Sequence, residues 1–376
     1  MGSRSKKKRG ERDEATLARL RGALPNAALR AGSATLGVVV GGTPFTSRSQ
    51  GGLGFALDIL DLDAPADEPQ RILTPFLPHG FSPHPSAPHR AAIFEKRGPG
   101  GGYVDLVEKR FLGAIPPKPG HHFYGHGVHS ADGEVIFAVE SRLDDNSGVI
   151  TVRDGKTFAI VDEFPSFGER PHDCMLVDGG GVLAITNGGG PRSSTRPGSV
   201  TFVSVADRRL LDKREIVTQK LNAGHFAITD AGALAVVSAP REGMAETEVG
   251  GVSLSGDAGK LAYMAEPQAL ASRMVGEALS VCIDEGSGHV VVTHPHAHLV
   301  SIWHLGRRAL VKHLELESPR GVVRTADGKY FVISFGARAA LLLLDAETLE
   351  PAGERGRSTT GGSHIYLWAH PAPAVA

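Results

Sequence analysis

The sequence predicts an all-β chain folded as a seven-bladed β-propeller. Three observations predict it: a motif that recurs seven times, the strand and turn punctuation inside each recurrence, and a fit between the two ends of the chain. Composition agrees, because 48 glycines and 24 prolines with only 6% aromatics suit many short strands joined by tight turns.

The recurring motif opens with a small residue or proline, then His or Arg, then a short apolar strand, then an Asp/Gly turn. It reads His79-Gly-Phe, Gly125-His126-Gly-Val-His-Ser-Ala-Asp-Gly, Pro171-His172-Asp-Cys-Met-Leu-Val-Asp-Gly, Gly224-His225-Phe-Ala-Ile-Thr-Asp-Ala-Gly and Pro319-Arg320-Gly-Val-Val-Arg-Thr-Ala-Asp-Gly. Ala278-Leu279-Ser280 is a degenerate copy, and Ser363-His364-Ile-Tyr-Leu-Trp is the seventh. The starts fall at 79, 126, 172, 225, 279, 320 and 364, a spacing that fits one four-stranded blade per repeat. After each turn comes a second apolar strand, as at Val135 to Val139 and Val182 to Thr186. The third and fourth are clearest in Gly148-Val-Ile-Thr-Val-Arg-Asp and Ala159-Ile-Val-Asp-Glu-Phe.

Before the first full repeat the chain offers Thr35 to Val40, Phe55 to Leu62 and Ile72 to Leu77, which read as strands two, three and four of a blade lacking its first. His364 to Trp368 supplies the missing strand. Such a shared blade closes the ring and removes its open edges. The expected organisation is a basic tail over residues 1–30, disordered or helical, followed by one propeller over 31–376.

Charge and composition exclude several partners. With 40 basic and 41 acidic residues, nothing suggests steering toward nucleic acid. The apolar run Ala34 to Gly42 is too short to span a bilayer. Cys174 and Cys282 sit in strand-like contexts far apart and read as buried free thiols. The Thr186-Asn-Gly-Gly-Gly-Pro stretch follows a strand and precedes no helix, so it reads as a turn and not as a phosphate loop. Gly-x-Ser-x-Gly is absent, and no hydrolase triad is supported.

In a propeller the first strand of each blade lines the channel, and its opening residue lies near one face. That register gathers His79, His126, His172, His225, Arg320 and His364 on one rim, with Glu140, Asn187 and the ends of other second strands nearby. His121, His122, His294, His296 and His298 lie in adjoining positions. Five histidines and one arginine at seven equivalent positions exceed what a packed channel needs. Neutral imidazole is the commonest metal ligand and suits Fe, Cu or Zn, with His126, His172 and His225 as the core set. A His/Arg funnel also suits a small anionic ligand. Three functions follow: a non-enzymatic propeller binding a metal ion or small anion, a metal-dependent oxidoreductase with Glu140 orienting the same histidines, or a scaffold for a protein partner.

The middle of the chain also resembles a known family. The run His121-His-Phe-Tyr-Gly-His-Gly-Val-His-Ser-Ala-Asp-Gly, with Glu163-Phe-Pro-Ser-Phe-Gly, Pro171-His172-Asp and Asn187-Gly-Gly-Gly, is similar to the bacterial family called domain of unknown function 1513. Gly80-Phe-Ser-Pro-His-Pro and Ala92-Ile-Phe-Glu-Lys-Arg-Gly-Pro-Gly extend the likeness. The resemblance implies a propeller commonly exported by the twin-arginine route and encoded beside iron-uptake lipoproteins, hence a periplasmic role connected with iron or another metal. It implies no particular activity. The basic run Met1 to Arg12 carries no twin-arginine segment with an apolar stretch, so the sequence as written reads as cytoplasmic.

Overall fold

Seven four-stranded antiparallel sheets, six of them with their strands in chain order from the axis outward, make up the computed structural model of this protein. The model describes residues 35–46, 52–64, 68–245, 247–256, 259–337, 339–356, 362 and 364–368; the expected tail over 1–30 lies outside them. The chain is a seven-bladed β-propeller.

The first blade is built from both ends of the described chain. Its innermost strand is Ile365–Trp368, followed outward by Val38–Thr46, Leu53–Asp61 and Gln70–Thr74. The closing register pairs Val38 with Trp368 and Gly41 with Ile365. The closing strand is also tied to the second blade: Tyr366 Oη–H donates to the His79 carbonyl at 2.8 Å, and Trp368 Nε1–H to the Pro88 carbonyl at 2.7 Å.

The inner strands of the other blades are, in order, Pro78–His84, His121–His129, Pro171–Val177, Phe226–Ile228, Val281–Asp284 and Val322–Arg324. The fifth of the seven repeats, which makes the sixth blade, therefore starts its paired strand two residues after Leu279, and Leu279 itself is buried. Only a short helix, Gln268–Ala271, interrupts the β-structure between the fifth and sixth blades. Among the described residues no helix is long and apolar enough to cross a membrane.

Alternation along the second and third strands sends one apolar row to each face of a blade, and each row packs on the next blade. Seven apolar clusters result among the described residues, one between each neighbouring pair. Phe94, Phe123 and Ile136 join the second blade to the third, for example. Val332, Leu341, Val39 and Leu60 join the seventh to the first and complete the ring. The core is thus an annulus of sheet-on-sheet layers, and the axis is left to the inner strands.

Candidate metal centre

Three of the inner strands break their pairing at the histidine. The register jumps between Pro78 and Gly80, between Phe123 and Gly127, and between Pro171 and Cys174. His79, His126 and His172 sit in these irregular stretches. A bulge re-aims a side chain that regular pleating would direct at a sheet face. Here the re-aimed side chains meet on the axis. His225 and His364 reach the same place from just before their paired strands.

Glycine makes the convergence sterically feasible. A Cβ on Gly80 would stand 2.2 Å from the Gly125 carbonyl oxygen. One on Gly125, whose φ is +125°, would stand 3.0 Å from His79 Cδ2 and 3.5 Å from His172 Cε1. The inner strands of the second and third blades approach this closely because nothing but hydrogen lies between them.

The five imidazoles form a packed knot. The His79 ring centroid lies 4.9, 5.5, 5.4 and 4.5 Å from those of His126, His172, His225 and His364. His225 lies 3.9 Å from His364 and 4.3 Å from His172. All five are buried. One ligand nitrogen from each of His79, His126, His225 and His364 falls in a group within 4.8 Å of one another. Two nitrogens bound trans to one ion at about 2.1 Å would lie about 4.2 Å apart. The four residues can therefore hold a metal ion after only small side-chain movements.

Charge and hydrogen bonding favour the ligand form of these rings. Burial pushes the pKa of His126 down to about 4, against the opposing pull of Asp173, and that of His225 down to about 3. Burial, helped by the neighbouring imidazoles, holds His79, His172 and His364 well below the ordinary histidine range. The rings are thus neutral at pH 7. The Nε2 atoms of His79, His126 and His364 are buried with no hydrogen-bond partner. A buried polar atom in that state costs about 1–3 kcal/mol.

Asp173 orients two of the rings. One carboxylate oxygen lies 3.3 Å from His126 Nδ1 and the other 3.3 Å from His225 Nδ1. A carboxylate so placed favours the Nδ1–H tautomer of both, which leaves the lone pair of each on Nε2. Sequence reasoning missed Asp173, although a signal existed: the position after the motif histidine or arginine is glycine, phenylalanine or isoleucine in the other repeats that carry one. His172 has a different arrangement from the group of four, because its Nε2 lies 2.8 Å from His225 Nε2.

The remaining expected residues are placed elsewhere. Glu140, expected to orient the histidines, accepts from Arg153 at 2.7 Å, from Thr151 Oγ1 at 2.6 Å and from the Lys118 backbone at 2.9 Å. Asn187 donates to Thr201 Oγ1 at 3.1 Å and accepts from Ser166 Oγ at 2.6 Å. His294 is bonded to Ser301 Oγ at 2.8 Å. All three lie at or near the end of a second strand, and all three bond to the third strand of the same blade. Second-strand side chains face the layers between blades, so they do not join the axis. His296 and His298 are exposed. His121 donates from Nδ1 to the Pro119 carbonyl at 3.0 Å, and His122 packs beside Tyr124.

Arg320 is half-buried at the seventh-blade position and donates from Nε to the Gly362 carbonyl at 2.8 Å. Glu277, which acts on its charge, also pairs with Lys96 at 3.3 Å, joining the sixth-blade side of the mouth to the second. Lys96 in turn acts electrostatically on His126, His172, His225 and His364. The glycine-rich stretch after Asn187 has the polarity of a cation cradle. Carbonyls of Gly190, Pro191, Ser194 and Arg196 converge on the buried Arg241 guanidinium, which fixes the turn and leaves no anion nest.

Comparison with known proteins adds the family and the fold. The model of a family described as "Protein of unknown function (DUF1513)" matches residues 73–359. No curated protein matches the chain. Among solved structures, Kuenenia stuttgartiensis hydrazine synthase is similar at 15% identity and a TM-score of 0.63, covering 78% of this chain and 92% of that one. At that identity the likeness concerns the propeller alone.

Proposed function

The chain belongs to the DUF1513 family of proteins of unknown function, and from the centre that this member builds we propose that it is a metal-binding propeller. Its ion sits on the ring axis, held by His79, His126, His225 and His364. The observation that carries this reading is the set of three buried Nε2 atoms with no partner, beside a fourth whose Nδ1 is held by Asp173. Orphaned imidazole nitrogens in one packed group are costly unless something binds them. A single divalent ion satisfies them together.

The donor set is all nitrogen and neutral, which suits iron, copper or zinc and disfavours the oxygen-seeking Mg²⁺ and Ca²⁺. The imidazoles alone make a poor anion receptor, since burial keeps them uncharged. A binding role for the histidines is thus a role for a metal.

Elemental analysis of the purified full chain tests the proposal, followed by titration of chelator-treated protein with iron(II), copper(II) and zinc(II). One ion per chain is expected, with loss of binding in the His126→Ala/His225→Ala double variant. A wild-type chain that stays metal-free through all three titrations would sink it.

A further inference from the structure

We propose that the axial ion keeps one coordination position for a small anionic ligand, and that His172 donates the hydrogen bond that holds it. The inference rests on the metal-binding reading above and extends it to a ligand class.

The starting point is the contact between His172 Nε2 and His225 Nε2 at 2.8 Å. Asp173 accepts from His225 Nδ1 at 3.3 Å, so His225 Nε2 carries a lone pair and His172 Nε2 the proton between them. A nitrogen has one such lone pair. When an ion takes it, the His172 N–H loses its acceptor. The His172 ring is enclosed by His79, His126 and Tyr124, and these ring contacts offer no carboxylate or carbonyl in exchange. An ion on that lone pair takes the place of the His172 N–H, so the His172 ring turns aside, and a ligand oxygen or nitrogen bound to the ion restores its hydrogen bond.

Charge balance argues for an anion. Four neutral imidazoles add nothing to a divalent ion, and the carboxylate that touches the knot is Asp173. One positive charge is left uncompensated in a buried place. The mouth above has the matching sign. Lys96 and Arg97 act on His172, and Glu277 pairs with Lys96 and acts on Arg320 at the seventh-blade position. The Lys96–Glu277 pair is partly exposed, with side-chain exposures of 45% and 35%, so solvent reaches the entrance. Ring centroids only 3.9–5.7 Å apart restrict the ligand to a few atoms, the size of azide or formate.

The test loads the full chain with copper(II) or cobalt(II) and titrates sodium azide, following the charge-transfer or ligand-field absorption. Saturable binding of one azide per ion is expected. His172→Ala should keep one ion per chain while weakening azide binding about tenfold, the loss of one charge-assisted hydrogen bond. His172→Gln, which retains an N–H donor, should recover part of that loss. An ion bound one per chain with no azide response, or with equal azide affinity in wild type and both variants, overturns this inference and leaves the metal site standing. A wild-type chain that binds no ion overturns both.

Discussion

At the scale of single residues the centre is governed by what burial does to imidazole. A histidine with a depressed folded pKa takes up its proton more readily in the unfolded chain. Its contribution is therefore neutral above the unfolded value of about 6.5 and becomes a loss of stability as pH falls toward the folded value. For His126 that window closes at about 4, and for His225, His129 and His294 at about 3. Each group costs up to about 1.4 kcal/mol per pH unit inside the window. The urea midpoint of the metal-free chain should therefore be level above pH 7 and fall steeply between pH 6 and 4.5; an unchanged midpoint at pH 5 would contradict buried neutral rings. Asp173 is the second residue with a measurable signature. Asp173→Asn keeps the shape but removes the charge on two ligand Nδ1–H groups, and should weaken metal affinity about 10- to 100-fold in a chelator competition. The sequence made the histidines legible because they recur. Asp173 occurs once, so no repeat announced it.

At the scale of strands, the repeat told where blades begin but not which way their side chains point. Glu140 and the motif histidines are neighbours in any alignment of blades, yet one faces an inter-blade layer and the others the axis. Glu140 belongs to a second strand, whose side chains face those layers, whereas three of the histidines are turned to the axis by irregular pairing of an inner strand, which the alternation of apolar residues does not encode. Glu140 instead neutralises Arg153, whose side chain is 1% exposed. Glu140→Gln should thus destabilise the fold by about 3–5 kcal/mol in urea unfolding, since it leaves a buried guanidinium without its counter-charge. Metal content of the folded fraction should not change. Loss of metal at unchanged stability would return Glu140 to the site.

At the scale of the whole molecule, an ion in the proposed centre would crosslink blades. His364, His79, His126 and His225 come from the first, second, third and fifth blades, and the first of these is itself held closed by four residue pairs. An ion binding the native ring and not the unfolded chain stabilises it by mass action, about 4 kcal/mol at a thousandfold excess over Kd. The thermal midpoint should rise with added metal, fall back with chelator, and show neither response in the His126→Ala/His225→Ala variant. A metal-dependent shift that survives in that variant would place the binding elsewhere on the molecule.

The sequence by itself determined the blade number, the ring closure through the strand read as His364 to Trp368, and the gathering of five histidines and one arginine at equivalent positions. These follow from periodicity, which is a property of order along the chain. Only the tertiary structure decided that nitrogens of four of the histidines fall within 4.8 Å of one another, that His172 pairs with His225, that Arg320 is held to Gly362, and that Asp173, and not Glu140, touches the ring nitrogens. Those outcomes depend on bulges and on glycine contacts between blades, where displacements of an ångström or two select which atoms meet. Periodicity places a residue at the rim, and close packing around the axis selects its partner.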